Sequence, residues 1–140
     1  MDKKQTIYDF LHTQTHAVIS TIDKDGNPEA ALIGFGEDKD LTLVFGTDTT
    51  TRKYQNLLNN PKVALVIGLG KELITTQYEG RTTPLEGDEL IKYKNLYHTK
   101  TPDAKKYDSY PNQIYFKITP VWIRYGDYNK EPEELFEITL

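Results

Sequence analysis

The chain has 140 residues, no cysteine, a formal net charge of −4 and a pI of about 5.4. That is one domain's worth, residues 1–140, long enough to bury a core without disulfide staples. With 37% hydrophobic residues and a mean hydropathy of −0.62, no run reaches transmembrane length, the acidic balance argues against a nucleic-acid binder, and the absence of a signal-like stretch makes cytoplasm the expected compartment.

Residues 5–14 read as a short helix with Ile7, Phe10 and Leu11 on one apolar face. His12 and His16 stand four apart, a spacing that on a helix can ligate zinc. No third ligand accompanies them, so no metal site is expected. Ala17 to Asp23 reads as a strand, Lys24 to Pro28 as a hairpin turn, and Glu29 to Phe35 as the returning strand. Ala30, Ala31 and Gly34 on that strand are small. They admit either a flat ligand or the close approach of a neighbouring helix. Gly36 to Asp40 reads as a polar turn.

From Leu41 to Gly68 the pattern is strand, polar loop, short helix, strand. Leu41, Leu43 and Phe45 alternate with Thr42 and Val44, as in a half-buried strand. Thr47-Asp48-Thr49-Thr50-Thr51 can cap a helix or bind an oxyanion, and Arg52 and Lys53 follow at once. Hydroxyls, helix-start N–H groups and two cations converging on one point suit a phosphate dianion. The same residues also fit a capped surface helix with two solvated cations. Tyr54, Leu57 and Leu58 give that helix an apolar face, and Asn59-Asn60-Pro61 stops it. Val63 to Ile67 is apolar throughout, long enough for a buried strand.

Leu73 to Glu79 reads as a fifth strand, with Gly80 marking a bend or bulge before Arg81, Thr82 and Thr83. Pro84 to His98 holds a second helix, with Leu90, Ile91, Lys94 and Tyr97 or His98 at helical spacing. Thr101-Pro102-Asp103-Ala104 starts a further helical turn ending near Tyr110. Gln113 to Tyr125 supplies two strands' worth of β-formers separated by Pro120, and Leu135 to Leu140 a last edge strand. Many hairpins without a βαβ rhythm predict a mainly β fold with a few short helices, an antiparallel barrel of Greek-key type.

From Ile22 to Gly80 this order of residues resembles the pyridoxamine 5′-phosphate oxidase family without a gap. The specific part is Phe45, Thr47, Thr51-Arg52-Lys53, and Asn60-Pro61 before an apolar strand; Phe116 to Arg124 resembles the family's late strand. The resemblance implies a split β-barrel and a homodimer with FMN at the subunit interface. Arg52 and Lys53 would hold the FMN phosphate, and Thr47 and Thr51 would lie beside phosphate and ribityl chain. Ala31, Leu32, Ile33 and Gly34 would line the ring, largely through backbone. Thr75 takes the place of a flavin-contacting glutamine, with Gln77 two residues on.

The departures narrow the implied activity. Ala31 stands where the oxidases aim an arginine at the flavin, and Gly126 where they have a tryptophan. Their C-terminal Arg-x-His-Asp-Arg segment has no counterpart in Asp127–Leu140. The expectation is an FMN-binding oxidoreductase of a small molecule other than pyridoxamine 5′-phosphate. The alternatives are a non-catalytic flavin module and a haem- or deazaflavin-binding relative. No residue stands out as acid or base; Tyr78, Tyr97 and Tyr125 are the candidates. Tyr115, Phe116, Trp122 and Tyr125 exceed what one small barrel need bury, which again points to a dimer.

Overall fold

The computed structural model describes residues 2–140. Its centre is one antiparallel sheet curled into a split β-barrel, with four short helices packed around it. The strands are β1 His16–Ile22, β2 Pro28–Gly34, β3 Gly36–Glu37, β4 Leu43–Asp48, β5 Lys62–Ile67, β6 Ile74–Pro84, β7 Gln113–Asp127 and β8 Glu134–Thr139. They pair in the order β2-β1-β5-β6-β7-β4-β3, and β8 pairs with β7 beyond β4. The helices are α1 Lys3–His12, α2 Arg52–Asn59, α3 Gly87–Lys100 and a 3-10 helix, Pro102–Ser109. No helix of the described residues is long and apolar enough to cross a membrane.

The core lies inside the curl. Ile19, Leu43, Phe45, Ile67, Phe116, Ile118 and Ile123 are fully or almost fully buried there, each contributing about 1.5–3 kcal/mol by leaving water. Phe45 and Phe116 stack across paired strands at 5.7 Å. The Tyr78 hydroxyl shares its one proton between the carbonyls of Leu41 (2.7 Å) and Ile118 (3.0 Å), so its polar end is satisfied inside the barrel. α1 closes one end with Ile7, Phe10 and Leu11, as its pattern predicts.

Several local expectations change. His16 is the first residue of β1, not a helical neighbour of His12. The predicted 36–40 turn contains the two-residue strand β3, and Leu41, at φ 68°, turns the chain before β4 begins at Leu43. Val44 is as buried as its neighbours because Leu85, Tyr93 and Tyr115 cover the second face of β4 beneath α3. On α2 it is Asn56 and Leu57 that point inward, while Leu58 is exposed. On α3 Tyr93 is buried and Ile91 exposed. β7 runs unbroken through Pro120: Gly80 pairs with Pro120 and Glu79 with Trp122, leaving Val121 as the extra residue of a bulge that absorbs the proline.

The Val63–Ile67 segment also departs from a buried strand. β5 alternates, with Val63, Leu65 and Ile67 inward and Ala64 and Val66 outward. Together with Leu32, 62% exposed, Val121 of β7 and small residues such as Ser20, they give the β2-β1-β5-β6-β7 part of the sheet an apolar outer face. Tyr115, Phe116 and Tyr125, expected as surplus surface, are instead buried within this chain.

Candidate functional site

α2 connects β4 to β5 across the barrel mouth and packs on β1 and β4. That crossing sets its first turn beside β2. Thr21, Glu29, Ala30, Ala31, Thr51, Arg52 and Lys53 consequently line one cleft of about 230 Å³. The two cations and Ala31, read from separate stretches of sequence, therefore meet.

The loop before α2 is tightly ordered. Asp48 accepts the N–H (2.8 Å) and hydroxyl (2.7 Å) of Thr50, and these bonds hold its carboxyl below the usual range. The Thr51 hydroxyl donates to the Asp48 carbonyl (2.9 Å) and accepts the N–H of Tyr54 (3.2 Å), which makes it the helix cap. Buried Thr47 lies 3.1 Å from it, oxygen to oxygen. Capping uses one of the first N–H groups of α2; the N–H groups of Arg52 and Lys53 lack intrahelical acceptors by the geometry of any helix start.

The two cations differ in their surroundings. Arg52 Nη1 lies 3.1 Å from Glu29 Oε2, an ion pair. Lys53 is half-buried, and among the described residues no carboxylate lies within ion-pair distance of it. Burial pushes its ammonium below the ordinary lysine value. A desolvated cation without a counter-charge, beside a helix start, is a place where an anion lowers the energy.

Nothing in the sequence marks Glu29 or Asn56 as part of the site. Asn56 Nδ2 donates to Glu29 Oε1 (2.8 Å) and to Thr21 Oγ1 (2.9 Å), and Asn56 is buried. An asparagine on a short polar helix gives no sign of facing inward until the helix is docked.

The remaining site candidates sit apart from that cleft. Leu32 faces outward and Ile33 packs in the core, so only their backbone is common to one edge of β2. Gly34 is small for packing: a Cβ there would come 2.5 Å from the Tyr97 hydroxyl of α3. Thr75 lies on β6 opposite Gly126, its hydroxyl 3.4 Å from the Ile67 carbonyl. Of the tyrosines considered as acids, Tyr78 is removed from that role. Its hydroxyl is buried between two carbonyls and its pKa is driven well above the ordinary value by burial. Tyr125 is stacked on Phe136 in the core. His12, His16 and His98 all lie outside the cleft lining. No group of three or more metal-ligating side chains occurs among the described residues.

A model of the family described as pyridoxamine 5′-phosphate oxidase matches residues 4–126. The pyridoxine/pyridoxamine 5′-phosphate oxidase of Citrobacter koseri is 26% identical over 98 residues, 68% of this chain but only 42% of that relative's length. Among solved structures, a haem binding protein from Mycobacterium smegmatis superimposes with a TM-score of 0.85 at 16% identity, over 99% of this chain and 58% of that one. General Stress Protein 26 of Bacillus anthracis superimposes with a TM-score of 0.76 at 25% identity, over the full length of both chains.

Proposed function

The chain belongs to the pyridoxamine 5′-phosphate oxidase family, and from that membership we propose that it holds FMN by its phosphate at the start of α2 and serves as an oxidoreductase of a small molecule. The observation that carries this reading is Lys53, a half-buried ammonium without an acidic partner, next to Arg52 in a cleft shared with Ala31. Phosphate has the donor requirement that this corner meets: two cations of different shape and a helix start. Thr47 and Thr51 stand beside them for the phosphate and ribityl chain. The backbone of Ala31, Leu32, Ile33 and Gly34 would flank the ring, with Thr75 as a further flavin contact. Bound there, FMN would supply the electron transfer; the chain supplies binding and orientation.

A second reading is haem on the same fold, favoured by the likeness to the M. smegmatis haem binding protein. At 16% identity that likeness speaks for the fold. The absence of a histidine from the cleft lining favours flavin. The visible spectrum of purified protein separates the two. Twin bands in the blue and near-ultraviolet are expected; a Soret band, or failure to take up added FMN, would overturn the flavin reading.

The family reading includes a homodimer with the cofactor at the subunit interface, and the outer face of β1, β2, β5, β6 and the adjoining part of β7 is the surface suited to it. Leu32, Val66 and Val121 are exposed there beside Ser20 and Ala64, small residues that let a second sheet approach. Light scattering at micromolar concentration is expected to return twice the 16.1 kDa chain mass. A monomer mass would remove both the dimer and an interfacial site. Replacing Val66 by Glu is expected to shift the mass toward the monomer, because a carboxylate would be desolvated at the interface.

A further inference from the structure

We propose that Glu29 is the positioning residue for Arg52 at the phosphate site, an inference that rests on the FMN reading. Arg52 is 78% exposed on its side chain, and an arginine so exposed has no intrinsic reason to hold one orientation. Glu29, by contrast, is only 18% exposed. Its Oε1 is held by Asn56 at 2.8 Å, Asn56 is buried, and the same Nδ2 donates to buried Thr21 at 2.9 Å. The chain Thr21–Asn56–Glu29 thus runs from β1 through α2 to β2 and presents one fixed oxygen to Arg52 Nη1 at 3.1 Å.

Stability alone does not account for that arrangement. An exposed ion pair adds little to folding, whereas burying most of a carboxylate carries a desolvation cost. The arrangement is accounted for if the guanidinium's place matters. Arginine has five donors, and the Glu29 oxygen lies against Nη1, so one carboxylate cannot saturate the fork and donors remain for an anion. Two cations against one carboxylate leave the cluster one positive charge in excess, and Lys53 carries it. Lys53 therefore supplies attraction, and Glu29 supplies direction to the arginine beside it.

The test is a double-mutant cycle on FMN and riboflavin binding, with wild type, Glu29→Ala, Arg52→Ala and the double variant followed by calorimetry. Glu29→Ala is expected to weaken FMN about tenfold, to leave riboflavin unchanged, and to cost nothing further once Arg52 is alanine. In the free protein the Arg52 Nη–H signals are expected to be distinct in wild type and averaged by rotation of the guanidinium in Glu29→Ala. Losses that simply add, or that fall equally on both ligands, would show that Glu29 acts through the fold and would overturn the inference. If wild type binds FMN no more tightly than riboflavin, the FMN reading falls first and the inference with it. If wild type prefers FMN and Glu29→Ala binds it as tightly, the inference alone falls. Should Glu29→Ala fail to fold, Glu29→Gln, which keeps the side-chain volume, enters the same cycle with the same expected non-additivity.

Discussion

Replacing Lys100 by alanine is expected to remove about 3–5 kcal/mol of stability, the cost of stranding a buried charge. Glu37 has a side chain that is 0% exposed, and its Oε2 takes Lys100 Nζ at 2.7 Å. Lys100, 7% exposed, also donates to the Leu11 carbonyl at 3.1 Å and lies 3.9 Å from the centre of the Phe35 ring. One ammonium thus ties the end of α3 to the end of α1 and to β3. Burial holds it below the ordinary lysine value even against the pull of Glu37. Without it, Glu37 keeps only His12 Nδ1 at 2.9 Å. A loss of that size is a large fraction of the total stability of an ordinary protein, and corresponds to a fall in melting temperature of roughly 10–20 °C. Urea denaturation checks it. Replacing both partners together, Lys100→Met with Glu37→Leu, is expected to recover most of the loss, because no charge is then left unpaired. A single-variant loss below about 1 kcal/mol would mean that water reaches Glu37 from the cleft that Tyr8, His12, Leu96 and Lys100 line between α1 and α3.

The second large effect is on ligand binding. Lys53→Ala is expected to lower FMN affinity about 10–100-fold and to leave riboflavin affinity where it was, since a charge-assisted bond to phosphate contributes about 1.5–3 kcal/mol. Wild type is correspondingly expected to prefer FMN to riboflavin by at least tenfold. Lys53 makes no ion pair among the described residues, so its removal should leave the far-ultraviolet circular-dichroism spectrum unchanged. The preference for FMN should shrink as salt is added. Equal dissociation constants for the two flavins in wild type would remove the phosphate site from consideration. Unchanged FMN affinity in Lys53→Ala, with the preference intact, would move the anchor to Arg52.

Much of the fold is legible in sequence because its strands are short and locally punctuated. Asp23 to Pro28 closes the β1–β2 hairpin, with the Asp23 carboxylate accepting from the N–H groups of Asp25 and Asn27 as turn chemistry requires. Asn60-Pro61 stops α2 at the expected place, and Gly80 marks the register shift between β6 and β7. Burial pattern was less legible where two layers compete. Val44 reads as a solvent-side residue until α3 covers it, and Val66 reads as core until the sheet is seen to leave its outer face bare. Periodicity reports which residues share a face, not whether anything covers that face.

What the sequence determined by itself is local. It specified the antiparallel, hairpin-rich class, the capped α2 with its two cations, and the family, because turn residues, a helix cap and adjacent charges are encoded within a few positions of one another. Only the tertiary structure decided what those cations face. Arg52 meets Glu29, twenty-three residues earlier, and Asn56 turns inward to hold that carboxylate. Lys100 reaches Glu37 and Leu11 at the far end of the chain. The reason is physical: a charge pair or a buried amide depends on the distance and desolvation between elements, and both arise only when the sheet curls and α2 crosses its mouth.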